Sequence, residues 1–181
     1  MNFKINKQLF VFALIALLSV SKAWATEYEI IIKGVSNVHD WECKVEKADV
    51  NIDVQASNGS IEALNGATLT VPVKSIKSGK SGMDKNIYKA LKESKHAEIA
   101  FEMKNVKSVD GKTITVQGDL RIAGVTNAVD LNAELVTIDG KNAIKGQQVI
   151  SMKDYEVEAP TAMFGAITTE DEVTVEYTIY L

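Results

Sequence analysis

The chain has 181 residues, of which 46% are hydrophobic and 24% are charged, and its formal net charge is −4. This length suits a single domain with a sizeable core. The excess of acidic residues disfavours nucleic acid and anionic membrane surfaces as partners. With Cys43 as its one cysteine, the chain cannot form an intramolecular disulfide, so we expect a small buried thiol and stability that comes from packing.

Residues 1–25 have the layout of a cleaved secretory signal. Lys4 and Lys7 precede an apolar run over residues 9–20, and Ala23-Trp24-Ala25 places small residues two apart. A bilayer-spanning helix needs roughly 20 apolar residues, so this run is too short for an anchor. We expect cleavage near Ala25, loss of three lysines that moves the net charge from −4 to −7, and a soluble periplasmic or secreted domain over residues 26–181 with no transmembrane segment.

Most of the remaining chain alternates between apolar and polar residues, which is typical of strands with one buried face. The clearest case runs from Ile114 to Leu135, with a turn at Gly124. About eight strands are predicted, over residues 28–36, 41–56, 68–73, 97–103, 114–122, 125–135, 143–152 and 173–181. Tight-turn dipeptides at residues 58–59, 65–66, 110–111 and 139–140 favour antiparallel hairpins between neighbours.

The second predicted strand changes phase along its length. Its first apolar residues, from Trp41 to Val45, are out of step with those from Ala48 to Ala56. A bulge near Glu46 or Lys47 would restore the alternation, and bulges commonly bend long strands at barrel corners.

Two segments depart from the strand pattern. Over residues 75–94 a loop leads into Met83, Ile87, Ala90 and Leu91 at helical spacing, which predicts one short helix ending near Lys92. This helix would either cap an open barrel end or pack against the wall. Residues 154–169 are rich in large apolar side chains, and we expect this segment to fold back over apolar surface.

Motifs for chemistry are incomplete. Gly79-Lys80-Ser81 lacks the earlier glycine of a phosphate-binding loop, and Gly34 to Val38 lacks the last glycine of a nucleophile elbow. Asp49, Asn51 and Asp53 open like a calcium loop but are not followed by its glycine and glutamate. Neither His39 nor His96 has the spacing of a metal pair. We therefore expect no catalytic residue, no metal and no cofactor.

Four segments, in order, resemble the YceI-like family of exported lipid-binding proteins. The strongest similarity is residues 118–126 with Val129 and Leu131, where Arg121 replaces the family's usual threonine. The others are Gly34, Ser36 and Trp41; Met83-Asp84 with Tyr88, Leu91, Ile99 and Phe101; and Lys153-Asp154-Tyr155 with residues 171–173. The resemblance implies a mainly β fold, a lipocalin-like antiparallel β-barrel of about eight strands with one short capping helix. It also implies non-catalytic binding of a polyisoprenoid or related amphipathic lipid in the cell envelope.

In such a barrel, inward apolar side chains would contact the lipid. Small residues on the inward face would leave room for it: Gly118, Gly124, Ala133 and Gly146. The predicted wall is Trp41, Ile52, Leu69, Val71, Phe101, Leu120, Ile122 and Leu131, the predicted lid is Met83, Ile87, Tyr88 and Leu91, and the predicted second flap is Met163 with Phe164. The partner would be a hydrophobic small-molecule lipid, and a homodimer is compatible with the sequence.

Two alternatives remain open at this point. In the first, side chains fill the barrel, and the protein is a stress-protective or protein-interaction module that acts through its acidic outer surface. In the second, His39 and Asp40 belong to an enzyme active site at the barrel mouth.

Overall fold

The computed structural model describes residues 27–57 and 59–181, so the predicted signal peptide lies outside the described residues. These residues form eleven strands and one α-helix. The strands are β1 (Tyr28–Ser36), β2 (Trp41–Val45), β3 (Asp49–Ser57), β4 (Ser60–Pro72), β5 (Ile76–Lys77), β6 (Glu98–Asp110), β7 (Thr113–Ile122), β8 (Val125–Ile138), β9 (Lys141–Ser151), β10 (Thr161–Ala162) and β11 (Ile167–Tyr180), and the helix is α1 (Ser81–Ala90). Over these two described stretches, no helix has the length and apolar character needed to cross a membrane.

The strands form one antiparallel sheet that curls on itself. Its order is β3-β4-β6-β7-β8-β9-β11-β1-β2-β5, and β10 pairs with β11 outside this path. β2 pairs with β1, whereas β3, which follows β2 directly in the chain, pairs with β4. One bent segment therefore belongs to both ends of the sheet and brings them together. This arrangement confirms the predicted antiparallel barrel with one short helix.

The bend in that segment lies where the sequence predicts an irregularity. Between β2 and β3, Glu46 N–H donates to Ser75 O at 2.9 Å, and Ser75 Oγ donates to Lys47 O at 2.7 Å. Ala48 N–H donates to the Tyr28 hydroxyl. Ser75 and Tyr28 therefore bind three backbone groups of residues 46–48, where the chain passes from its pairing with β1 to its pairing with β4.

One predicted turn is a bulge instead. β4 begins at Ser60 and continues through Asn65 and Gly66, opposite β3. Asp53 pairs with Gly66 and Val54 pairs with Leu64, which leaves Asn65 as an extra residue in the ladder. Neither Asn65 nor Gly66 has a positive φ angle, so the pair does not form the tight turn that its sequence suggests and is accommodated as a bulge instead. By contrast, Asp139 and Gly140 have positive φ angles of 50° and 79° and form the expected two-residue turn.

Candidate functional site

The curled sheet surrounds a cavity of about 260 Å³. Its lining is almost wholly aliphatic and aromatic and draws on nearly every long strand and on the end of α1. Two groups of buried side chains border it, one around Phe101, Ile114 and Leu120, the other around Cys43 and Ile76. Leu69, Leu91 and Ile99 pack against both groups. The two halves of the core therefore enclose a single apolar space.

The structure places the predicted contact residues unevenly. All the predicted wall residues line the cavity, namely Trp41, Ile52, Leu69, Val71, Phe101, Leu120, Ile122 and Leu131. Of the predicted lid, Ile87 and Leu91 line it, whereas Met83 packs against the group around Cys43 and Tyr88 lies outside the lining. Met163 and Phe164 are exposed. The expectation that their segment covers apolar surface holds only for its first part, where Tyr155 and Val157 are buried.

The inward glycines do not provide the open space that the sequence suggested. The Phe101 ring lies over Gly118, and the Tyr177 ring lies over Gly146. The prediction that Gly124 faces inward is wrong: it is exposed in the turn between β7 and β8, where the His96 ring packs on it. Gly34 has the same relation to Trp41, its cross-strand partner. Since an aromatic ring that rests on a glycine lies against the sheet, Trp41, Phe101 and Tyr177 add apolar surface without crossing the barrel. The glycines thus keep the cavity open indirectly.

α1 is held over the cavity by polar contacts of its outer side. The Tyr88 hydroxyl shares its one proton between Lys74 O and Ile76 O, both at 3.1 Å, and accepts from Lys77 Nζ at 2.7 Å. The Asp84 carboxylate accepts from Ser78 Oγ at 2.6 Å and from Ser78 N–H at 2.8 Å. These bonds fix the helix so that Ile87 and Leu91 face the cavity. Asp84 and Tyr88, which carry part of the family resemblance, therefore position the helix.

Asp84 should link stability to pH. The two hydrogen bonds from Ser78 hold the pKa of Asp84 below its ordinary value. When the pKa of a carboxyl is lower in the folded than in the unfolded chain, the ionised group stabilises the fold at pH values above its unfolded pKa of about 3.9. That stabilisation is lost as the pH falls through the pKa of the folded state. We expect Asp84→Asn to lower the free energy of unfolding by about 2 kcal/mol at pH 7, the usual worth of hydrogen bonds to a charged group.

The measurement is urea unfolding between pH 7 and pH 3. Below about pH 5 the wild type should lose stability faster than Asp84→Asn, because only the wild type protonates this carboxylate. Asp53→Asn, on an exposed position of β3, is the matched control and should unfold like the wild type at pH 7. Parallel pH curves for the wild type and Asp84→Asn would contradict this role.

Cys43 is expected to be chemically inert in the folded protein. Its side chain is 2% exposed, and burial, with smaller contributions from Asp84 and Glu42, raises its pKa to about 11. Since the thiolate is the reactive form, alkylation by iodoacetamide at pH 8 should be at least ~100-fold slower in the native protein than in guanidinium. Cys43 is the only cysteine, so the mass of the intact chain reports the reaction directly. Fast stoichiometric labelling of the native protein would contradict the buried position.

The histidines lie away from the cavity. His39 is exposed, and its Nδ1 lies 2.8 Å from Asp40 O, whereas the His96 ring packs on Gly124. Among residues 27–57 and 59–181, no group of three or more His, Cys, Asp or Glu side chains is arranged to hold a metal ion.

An antiparallel sheet curled around an apolar cavity, with a short helix at one side, defines a lipocalin-like β-barrel protein. More particularly, the chain belongs to the YceI-like domain family, whose model matches residues 21–181. A UPF0312 protein from Pseudomonas putida is 27% identical over 169 residues, which cover 81% of this chain and 84% of that relative.

Solved structures show the same fold. BcnA from Burkholderia cenocepacia superimposes with a TM-score of 0.70 at 14% identity and covers 85% of this chain and 96% of its own. A polyisoprenoid binding domain from Saccharophagus degradans, implicated in plant cell wall breakdown, gives a TM-score of 0.62 at 12% identity, over 84% of this chain and 92% of that domain. The described residues therefore have the fold of the family that their sequence indicates.

Proposed function

We propose that this protein binds a long polyisoprenoid or a related amphipathic lipid in the cavity of its barrel, without catalysis, in the bacterial cell envelope. The observation that carries the proposal is the apolar cavity of about 260 Å³. Space for one water-sized group takes on the order of 10–15 Å³, so the cavity has room for on the order of twenty such groups. That is the bulk of an extended prenyl chain of moderate length.

The energetics favour a long apolar chain. Each buried methylene contributes about 0.8 kcal/mol, so a dozen contribute roughly 10 kcal/mol. Association costs about 4–15 kcal/mol, which a short chain would not offset. The near absence of polar groups in the lining removes any large penalty for burying the chain. The unfilled cavity also favours ligand binding over the alternative of a barrel filled by its own side chains.

Family membership supports the same proposal, as does the structural neighbour named for polyisoprenoid binding. Export rests on the signal-like layout of residues 1–25. The positions of His39 and His96 outside the cavity agree with a protein that carries its ligand unchanged.

The test is to express the full chain in a bacterium, purify the protein from the envelope fraction and identify extracted lipids by mass spectrometry. We expect one prenyl lipid per chain. The lipid-free protein should then take up a fluorescent long-chain prenol. Repeated absence of extracted lipid, together with no uptake of long-chain prenols, would refute the proposal.

A further inference from the structure

The barrel wall is open between β8 and β9. Their ladder runs only from the Ile138–Lys141 pair to the Ala133–Gly146 pair. Beyond it, residues 125–132 of β8 pair only with β7, and residues 147–151 of β9 pair only with β11. Two half-strands therefore face each other without a ladder between them. β4 and β6 also pair over only part of their length, from the Thr68–Glu102 pair to the Pro72–Glu98 pair, but the gap between β8 and β9 is the one lined by a groove that adjoins the apolar cavity.

Tyr177 marks the point where the ladder ends. Its ring lies over Gly146, and its hydroxyl donates to Asn132 O at 3.2 Å. This bond satisfies the backbone carbonyl next to the last ladder pair. Burial raises the pKa of Tyr177 to about 12, so the hydroxyl keeps its proton over the physiological range. The opening is thus built into the sheet by a specific contact.

A polar groove of about 450 Å³ lies at this opening between β8 and β9. Its polar lining residues are Asn127, Gln148, Ser151 and Asp154. Gln148, Ile150 and Tyr155 line both this groove and the apolar cavity, so the two spaces adjoin. Gln148 lies at an inward position of β9, where its neighbours at 144 and 150 are isoleucines. An inward glutamine at the border is therefore the exception in an apolar wall.

We propose that this groove holds the polar head group of the lipid whose chain occupies the cavity, and that the head group is an uncharged hydrogen-bonding group such as a hydroxyl or carbonyl. The inference rests on the proposed function. An amphipathic ligand needs an apolar space that adjoins a polar one, and the described residues supply both at the β8–β9 opening. The Gln148 amide now donates only to the neighbouring Val149 O at 3.0 Å, a local bond that a head group can replace.

Carboxylates argue against an anionic head group. Asp154 lines the groove, and Asp171 accepts hydrogen bonds from Ser151 Oγ at 2.7 Å and Lys153 N–H at 3.0 Å beside it. Asn127 Nδ2 donates to Asp154 O at 2.7 Å and ties the segment after β9 to the start of β8. A phosphate placed here would be repelled by these carboxylates. A hydroxyl or carbonyl could instead form hydrogen bonds with side-chain amides and hydroxyls and with backbone groups of β8 and β9 beyond their shared ladder.

The test compares a long-chain prenol, the hydrocarbon with the same carbon skeleton and the corresponding prenyl monophosphate. Titrations use the purified lipid-free mature protein, Gln148→Leu and the matched control Gln147→Leu, whose side chain is on the exposed face of the same strand. We expect the wild type to bind prenol more tightly than either other ligand. Gln148→Leu should weaken prenol binding about 5-fold, the worth of one neutral hydrogen bond, and leave hydrocarbon binding unchanged. Gln147→Leu should match the wild type.

A second measurement on the unaltered protein covers the case in which Gln148→Leu does not fold. A prenol with a photoreactive diazirine at its hydroxyl end should label residues 127–129 or 148–155, and one with the diazirine at the far end should label the cavity wall. Head-end labelling elsewhere, tighter binding of the phosphate than of prenol, or an unchanged prenol-to-hydrocarbon ratio in Gln148→Leu would overturn the inference while leaving chain binding intact. Failure of all three ligands to bind would refute the proposed function and this inference together.

Discussion

Replacing Leu131 with tryptophan is expected to weaken prenol binding at least ~100-fold while leaving the barrel folded. Leu131 lines the cavity at an inward position of β8 and is only partly buried, so a larger side chain can extend into the open space. Tryptophan adds about six heavy atoms, which would displace a similar number of methylene groups worth about 0.8 kcal/mol each. Even partial displacement costs more than 2.7 kcal/mol, which is a factor of ~100.

The neighbouring position provides the control. Asn132 is exposed on the outer face of β8, so Asn132→Trp adds the same ring outside the cavity. Binding is measured by titration with a fluorescent prenol, and folding by circular dichroism and thermal unfolding. Equal affinity in Leu131→Trp and the wild type would show that the ligand does not occupy this cavity.

Gly146→Ala is expected to lower the free energy of unfolding by about 3 kcal/mol and to reduce lipid binding. A Cβ at this position would lie 2.5 Å from Asn132 O and would also collide with the Tyr177 hydroxyl. Since Asn132 O is backbone, the strand itself must shift, which puts the cost at the upper end of that for overpacking. Displacement of Tyr177 would break its bond to Asn132 O and push its ring toward the cavity.

Gly66→Ala is the matched control, because a Cβ at Gly66 meets no atom within 4 Å. It should unfold within about 0.5 kcal/mol of the wild type, as surface substitutions usually do. Urea unfolding of both variants measures the difference, and Gly146→Ala combined with Tyr177→Leu should recover part of the loss. A Gly146→Ala protein as stable as the Gly66→Ala protein would contradict the contact between Gly146 and Tyr177.

The strands were largely predictable because their evidence is local. Alternation from Ile114 to Leu135 places β7 and β8 correctly, and the phase change near Glu46 marks the bend between β2 and β3. The errors occur where a local signal has two meanings. The Asn65-Gly66 dipeptide is compatible with a turn or a bulge, and it forms a bulge because β4 continues to pair with β3 on both sides of it.

The site was predictable only in part. Because side chains alternate between the two faces of a strand, the sequence identifies inward wall residues such as Leu120 and Phe101, both of which line the cavity. The pattern of apolar residues does not show that Tyr88 turns outward to bind the Lys74 and Ile76 carbonyls, or that Phe164 is exposed. The position of each side chain depends on a neighbouring segment. Gln148 was missed although a signal existed, since it is a polar residue at an inward position of an otherwise apolar strand face.

The sequence by itself determined most of the long strands, the buried face of the strands it predicted, and the family to which the chain belongs, because these depend on the order of residues within individual segments. It missed the first half of β4 and the short strands β5 and β10. Only the tertiary structure decided where the space inside the barrel lies. Gly118 and Gly146 suggested room, yet rings from other strands cover both. The opening beside Gln148 likewise depends on how far β8 and β9 stay paired, and the pairing ends where Tyr177, on a third strand, binds Asn132 O. The cavity and the opening in the barrel wall are each formed by side chains from several segments packed together, so they cannot be predicted from any one segment.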